Sequence, residues 1–312
     1  MSLVLGVDIG GTKIRIGVVS ETGEVIADTT IPTKLPLYPY LEEKILEVQK
    51  QFPNLIGIGI GTRGMVDSEE GIVTFETELP GWKGTHVKKQ LQAATGIRVE
   101  INNDANCAAL AESYLGSAKD YRRVVCLTVG TKLGGGIIID GNVMNGAHGG
   151  GGEIGHMILY PNGILCGCGR YGCSEEYVSG TALRRLILNN NVIDPKTEEL
   201  VTPHELFKMA ANGHKGAIAV RNAFLTDFAI VISNLQAILD MDCVVIGGGV
   251  SESSDDWWSF LLTEVEPLKL KPLEIKKAVF GNEAGMLGAA LLVIDRSKLL
   301  QYRKGSVKTW QL

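Results

Sequence analysis

The chain has 312 residues, 45% of them hydrophobic and 21% charged, the makeup of a globular protein long enough for two cores. A net charge of −5 argues against a nucleic-acid surface, and no run approaches the ~18 apolar residues of a membrane span. The N-terminus shows neither the basic region nor the cleavage site of a signal peptide, and the six cysteines read as reduced thiols, so a cytoplasmic protein without nucleic-acid or membrane partners is expected.

Residues 3–9 form an apolar, β-branched run that carries Asp8 near its end. Gly10-Gly11-Thr12-Lys13 turns the chain into a second run, Ile14 to Val19, which predicts a hairpin. Such a turn can aim N–H groups at a phosphate, with the Asp8 carboxylate placed toward its magnesium; an ordinary glycine hairpin is the plainer alternative. Leu41 to Gln51 predicts a helix, and Leu55 to Ile60 a strand ending in the loop Gly61-Thr62-Arg63-Gly64. A strand over Arg98–Ile101 leads to Asn102-Asn103-Asp104-Ala105-Asn106, and helix formers then run from Ala105 to Leu115 before Gly116. Asp104 therefore sits at a strand-to-helix junction, near the N-cap. Capping is the favoured role on this stretch alone. A general base at the strand ends, where α/β proteins place ligands, is the functional one.

The plan recurs. Residues 124–129 lead into Gly130-Thr131-Lys132-Leu133-Gly134-Gly135-Gly136, then a second apolar run and an Asp140-Gly141 turn. This duplication implies two similar α/β halves, each offering a glycine-rich hairpin, and two such hairpins would make a nucleotide clamp. The expected division is a small domain over 1–118 and a larger one over 119–284. A C-terminal helical segment of about 285–312, its helix running from Ala284 to about Leu300, is expected to pack back on the first domain. Cys243 to Ile246 predicts a buried strand ending in Gly247-Gly248-Gly249, which permits close approach of a flat or anionic ligand; a tight turn is the alternative.

Between these stretches, His156, Cys166, Cys168 and Cys173 lie between Glu153 and Glu175. Thiolate and imidazole in a closed tetrahedron suit a structural zinc, and four protein ligands leave no open position for chemistry. The metal is expected to fix a glycine-rich loop whose flanking acids and histidine present a pocket.

Asp8-Ile9-Gly10-Gly11-Thr12-Lys13, Asn103-Asp104-Ala105-Asn106 and the Cys-x-Cys-Gly-x-x-Gly-Cys-x-Glu stretch together resemble the ROK family, its sugar kinases in particular. Leu79-Pro80-Gly81-Trp82, Glu153-Ile154-Gly155-His156 and Ala284-Gly285-x-Leu287-Gly288-Ala289-Ala290 also look like that family's pattern. The resemblance implies an actin-like ATPase fold, the ribonuclease H-like duplication, with two α/β domains around a central cleft. It implies that Asp8, Gly10, Gly11, Thr12 and Lys13 with Gly130, Thr131, Lys132 and Gly134 hold the phosphates of Mg2+–ATP, and that Gly247, Gly248 and Gly249 lie near the adenosine. Asp104 becomes the catalytic base. Asn103, Glu153, His156 and Glu175, with Gly64, bind the sugar, and His156 also takes zinc (Zn2+). Glucose, phosphorylated at its 6-hydroxyl, is the first expected substrate; N-acetylmannosamine or N-acetylglucosamine is the alternative. A sugar-binding regulator without kinase activity is the alternative of another class. A homodimer or homotetramer is implied.

Three positions depart from the pattern. Lys132 stands where the second hairpin has glycine, so a clash is expected if the backbone there needs positive φ; the alternative is that its ammonium reaches a phosphate. Arg63 and Glu78 replace a proline and an asparagine common in similar glucokinases. Their opposite charges imply either a salt bridge or a changed substrate preference.

Overall fold

A computed structural model describes residues 2–75 and 78–296, and the backbone of 308–309. The chain runs β1 (Leu3–Ile9), β2 (Lys13–Ser20), β3 (Val25–Pro32), α1 (Leu37–Gln51), β4 (Leu55–Thr62), β5 (Met65–Asp67), β6 (Ile72–Phe75), α2 (Val87–Thr95), β7 (Arg98–Asn103) and α3 (Asp104–Tyr114). There follow β8 (Arg123–Val129), β9 (Leu133–Ile139), β10 (Asn142–Val143), α4 (Gly180–Asn189), α5 (Pro203–Ala211), α6 (Lys215–Leu239) and β11 (Cys243–Gly247). The last elements are α7 (Trp258–Val265), β12 (Glu274–Lys277), α8 (Ala284–Leu291) and β13 (Lys308–Thr309).

The two large sheets repeat one plan. The first is ordered β13-β3-β2-β1-β4-β7 and the second β10-β9-β8-β11-β12. In the first, β1, β2 and β3 form an antiparallel meander and β4 and β7 join parallel to β1. In the second, β11 and β12 join parallel to β8. This shared order gives the two similar halves expected from the paired hairpins, and it is the ribonuclease H-like duplication that the family resemblance implied.

The chain divides into two compact units, one of Met1–Asp120, Gly136–Gly152 and Val279–Leu312, the other of Tyr121–Gly135 and Glu153–Ala278. The sequence alone put all of 119–284 together, whereas the structure groups Gly136–Gly152 with the first unit. Tertiary contacts explain the difference. Gly136 lies so near α3 that a Cβ there would come within 2.6 Å of the Ala109 methyl. The Tyr114 hydroxyl donates to the Gly141 carbonyl at 3.1 Å, and Asn102 Nδ2 donates to Asn145 Oδ1 at 2.9 Å.

The first sheet is seated on α8 by a row of glycines. Gly17, Gly6 and Gly59 are cross-strand partners on β2, β1 and β4. A Cβ at Gly6 would stand 2.2 Å from the Met286 carbonyl oxygen, and one at Gly59 1.7 Å from that of Ala289. On the other face Leu5, Val7, Ile16, Ile58 and Ile60 enter the core with Leu41 and Ile45 of α1. α8 ends at Leu291, short of the expected Leu300; residues 297–307 lie outside the described ones.

α3 carries an acid that sequence reading passes over. Glu112 is fully buried. Its Oε1 accepts from the Val279 and Phe280 N–H groups at 2.8 and 3.0 Å, and its Oε2 from the Ser117 N–H and hydroxyl at 3.1 and 3.2 Å. The carboxylate thus pins the approach to α8 against the end of α3. Glu112→Ala strands these buried donors and is expected to cost about 3–5 kcal/mol of stability. Chemical denaturation reads this directly, and an unchanged midpoint would show the contacts to be replaceable.

Against the expectation that no run approaches a membrane span, α6 is long and apolar enough by length and composition, the one such helix among the described residues. Half of its apolar window is buried inside the protein. Phe224 and Phe228 of α6 pack with Phe207 of α5 and Trp257, ring centroids lying 5.8–6.2 Å apart along the chain of contacts. Its hydrophobicity is thus largely that of a core helix.

Candidate active site

In the first unit the site is built at the ends of β1, β4 and β7. The Gly10 N–H donates to the Lys13 carbonyl at 3.0 Å, and Thr33 fixes the turn through its hydroxyl on the Gly10 carbonyl and its N–H on that of Thr12, at 2.9 and 3.0 Å. Asp8 lies on the face that meets α8, where a Cβ at Gly285 would come within 2.5 Å of its carboxylate. Burial pushes its pKa up to about 7; the nearby Asp104 charge adds to this, and Arg15 and Lys13 oppose it. A carboxylate in this state fits a divalent cation, whose charge would relieve the repulsion and whose preference is for hard oxygen. Arg15, which pairs with Asp8 across the hairpin, also bonds to Asp28 and to Glu283. Counting the register back from the Gly10–Lys13 turn would have found it.

Capping falls to Asn103, not to Asp104. The Asn103 side-chain oxygen accepts from the N–H groups of Ala105 and Asn106 at 2.8 and 3.3 Å, while its Nδ2 donates to the Gly64 carbonyl at 3.0 Å. Two residues expected on the sugar side, Asn103 and Gly64, are thereby joined. Asp104 is the first residue of α3 and its Oδ1 accepts from the Ala105 N–H at 2.9 Å. The Leu79-Pro80-Gly81-Trp82 turn has a role here, because buried Trp82 donates from Nε1 to Thr62 Oγ1 at 2.8 Å and holds the end of β4. Arg63 and Glu78 form a salt bridge of 2.7 Å.

In the second unit the Gly130 N–H closes its turn on the Lys132 carbonyl at 2.9 Å, and the Thr181 hydroxyl donates to the Thr131 carbonyl at 2.7 Å. Lys132 is exposed and its φ is not positive, so the expected clash does not arise. Gly134 lies in β9. Gly247 ends β11 and Gly249 opens a short helical turn. Between them Gly248 has φ of 88°, and a Cβ there would meet the Val129 carbonyl oxygen at 2.6 Å. That turn requires glycine whatever else it does.

The loop of this unit that carries the candidate metal ligands joins two short helical turns, Ile154–His156 and Ser174–Glu176, tied by the Ser174 hydroxyl on the Ile154 carbonyl at 2.7 Å. One ligand atom from each of His156, Cys166, Cys168 and Cys173 lies within 4.8 Å of all the others. His156 Nδ1 is 3.7 Å from Cys166 Sγ, and Cys168 Sγ is 3.6 Å from Cys173 Sγ. A zinc tetrahedron with bonds of about 2.0–2.3 Å has edges of roughly this length, so the four fit the ion. Burial pushes the Cys166 and Cys173 thiols up. On Cys168 burial acts the same way, but hydrogen bonds from Arg170 bring it down to about 6. The outer ring nitrogen of His156, Nε2, faces Glu153 Oε2 at 3.9 Å, and buried Glu175 stands 3.8 Å from Nδ1. Burial, with the neighbouring Glu175, raises the Glu153 pKa against the pull of His156.

With this geometry in view, the ROK family pattern matches residues 4–296. The chain belongs to the ROK family. A glucokinase from Thermotoga maritima is 31% identical over 94% of this ROK chain and 98% of that protein. An N-acetyl-D-glucosamine kinase from Photobacterium profundum is 32% identical over 93% and 99%. Among solved structures, a ROK family glucokinase from Streptomyces griseus in complex with glucose and AMPPNP aligns with a TM-score of 0.76 at 30% identity, covering 93% of this ROK chain and 99% of its own length.

Proposed function

We propose that this ROK chain transfers the terminal phosphoryl group of ATP to a hexose, glucose at its 6-hydroxyl being the first substrate. The enzyme is an ATP-dependent sugar kinase. The observation that carries the residue assignment is Asp104, relieved of capping by Asn103 and near enough to Asp8 to raise its pKa.

Asp104 takes the proton of the acceptor hydroxyl as that oxygen bonds to phosphorus. Phosphoryl transfer asks chiefly for alignment and for neutralisation of spreading negative charge. The Gly10–Lys13 and Gly130–Gly134 turns supply backbone N–H groups for the phosphates, and Asp8 the oxygen for magnesium. Gly247–Gly249 give room for the adenosine. Glu153, Glu175, Asn103 and the outer nitrogen of His156 hold sugar hydroxyls. His156, Cys166, Cys168 and Cys173 would hold a zinc ion, which would supply rigidity and leave Nε2 of His156 as the nitrogen facing outward. We place the enzyme in the cytoplasm, as a homodimer or homotetramer.

A second reading, phosphorylation of an N-acylhexosamine, is favoured by the N-acetyl-D-glucosamine kinase relative and by Arg63, on the loop that carries Gly64, with its charged partner Glu78. A coupled assay of ADP release over glucose, mannose, N-acetylmannosamine and N-acetylglucosamine tests both. Release with glucose supports the first, and release confined to the N-acetyl sugars the second. No release with any sugar would sink the kinase reading and leave a sugar-binding protein without kinase activity.

A further inference from the structure

We propose that Arg63 binds the terminal phosphate of ATP and stabilises its charge during transfer; this rests on the assignment of the Gly10–Lys13 turn to phosphate. β4 lies between β1 and β7 in the sheet. Its end is flanked by both neighbours, Thr62 pairing with Ile9 on one side and with Asn103 on the other. Arg63 is the next residue. It thus stands between the strand that brings Asp8 to the phosphates and the strand that brings Asp104 to the acceptor hydroxyl. The group to be placed between those two carboxylates is the phosphoryl in transit.

The side chain is held for that position. Trp82 fixes Thr62 before it, and Asn103 fixes Gly64 after it. One nitrogen of the guanidinium, Nη2, is bonded to Glu78 Oε2 at 2.7 Å. The other, Nη1, lies over the phosphate turn itself, where a Cβ at Gly11 would come within 3.1 Å of it. Arg63 and Glu78 are 30% and 43% exposed, and an ion pair so open to water adds little stability. What the pair does achieve is orientation: a carboxylate on one edge of a rigid planar fork aims the other edge.

In the transfer, the acceptor oxygen forms a bond to the terminal phosphorus and the bond from phosphorus to the bridging oxygen breaks. ADP leaves with that electron pair, and the hydroxyl proton goes to Asp104. Arg63 makes and breaks no covalent bond. It neutralises charge on the non-bridging oxygens, which is where that charge spreads.

The test compares the native enzyme with Arg63→Ala and Arg63→Lys. Calorimetry measures binding of AMPPNP, which has a third phosphate, and of ADP, which lacks it; steady-state kinetics are run in parallel. In Arg63→Ala, AMPPNP is expected to bind about tenfold more weakly and kcat to fall roughly 10²-fold or more. ADP affinity and the KM for sugar should be little changed, and lysine should recover part of the loss. Equal effects on AMPPNP and ADP, no effect on either, or a rise confined to the sugar KM would each overturn the proposal. The nucleotide comparison needs no turnover, so it is separable from the kinase reading. A protein that releases no ADP fails the latter whatever Arg63 does, and an active enzyme with an indifferent Arg63→Ala fails only the former.

Discussion

Asp104→Asn is expected to lower kcat by roughly 10²–10⁴-fold, the usual contribution of a positioned general base, while the protein still folds and binds sugar. The fold should survive because the helix cap is Asn103, and because an amide oxygen at position 104 can still accept from the Ala105 N–H as Oδ1 does at 2.9 Å. An amide cannot take the hydroxyl proton. A second effect accompanies the first. Asp104 is one of the charges that raise the Asp8 pKa to about 7, so removing it lets Asp8 ionise more readily. Magnesium–nucleotide affinity should therefore hold or increase as turnover collapses. Turnover and nucleotide binding measured on the same preparation separate this from general damage, which would weaken both. Retained turnover would move the base to another residue.

Loss of zinc is the second large effect expected. Structural zinc in small sites contributes roughly 10–16 kcal/mol to the folding of its own loop, and the four ligands here close a glycine-rich loop. Among the described residues its hydrophobic side chains Ile158, Leu165 and Tyr171 are more than half exposed. Its order rests on the four convergent ligands, on backbone bonds such as the Cys166 N–H on the Arg170 carbonyl, and on Tyr177, whose hydroxyl accepts from the Ile164 N–H at 2.9 Å and whose ring packs on Tyr160. Cys173→Ser or a strong chelator is expected to lower the melting midpoint by roughly 10 °C. Sugar affinity should fall with it, since His156, Glu153 and Glu175 hang on the same two helical turns. Elemental analysis should find one zinc per chain in the native protein. Full stability and activity with no metal would refute the assignment. Because thiolate and neutral imidazole are the binding forms, acid should release the ion.

The first turn and the His–Cys cluster were legible in the sequence for reasons that can be stated. Glycines beside a strand-ending aspartate mark the first turn, and a Cys-x-Cys…Cys spacing behind a histidine marks the metal loop. Both are local patterns, and local patterns survive without coordinates. The cap was less legible. Asn103 and Asp104 are adjacent and both favour N-caps, so a boundary uncertain by one residue exchanges their roles. Glu112 was hidden among helix formers, where an acid normally reads as a solvated face. The partition of Gly136–Gly152 was invisible because it depends on how closely Gly136 approaches α3, a tertiary fact. Whether Lys132 is strained could be decided only by its φ.

The glycine row beneath α8 carries a consequence for how this half of the protein can change over time. On the outer face of the row, Leu5, Val7, Ile58 and Ile60 sit in an ordinary core, where exchanges of similar volume are well tolerated. One residue away along the same strands, at Gly6 and Gly59, even a methyl group would lie within 2.2 Å of helix backbone. Divergence in β1 and β4 must therefore proceed on alternate residues, free drift beside positions that cannot move by a single carbon. Asp8 stands on the immobile face with Gly6. Its setting against Gly285 is inherited with the packing of the helix, so the residue assigned to the metal changes only if the whole seam does.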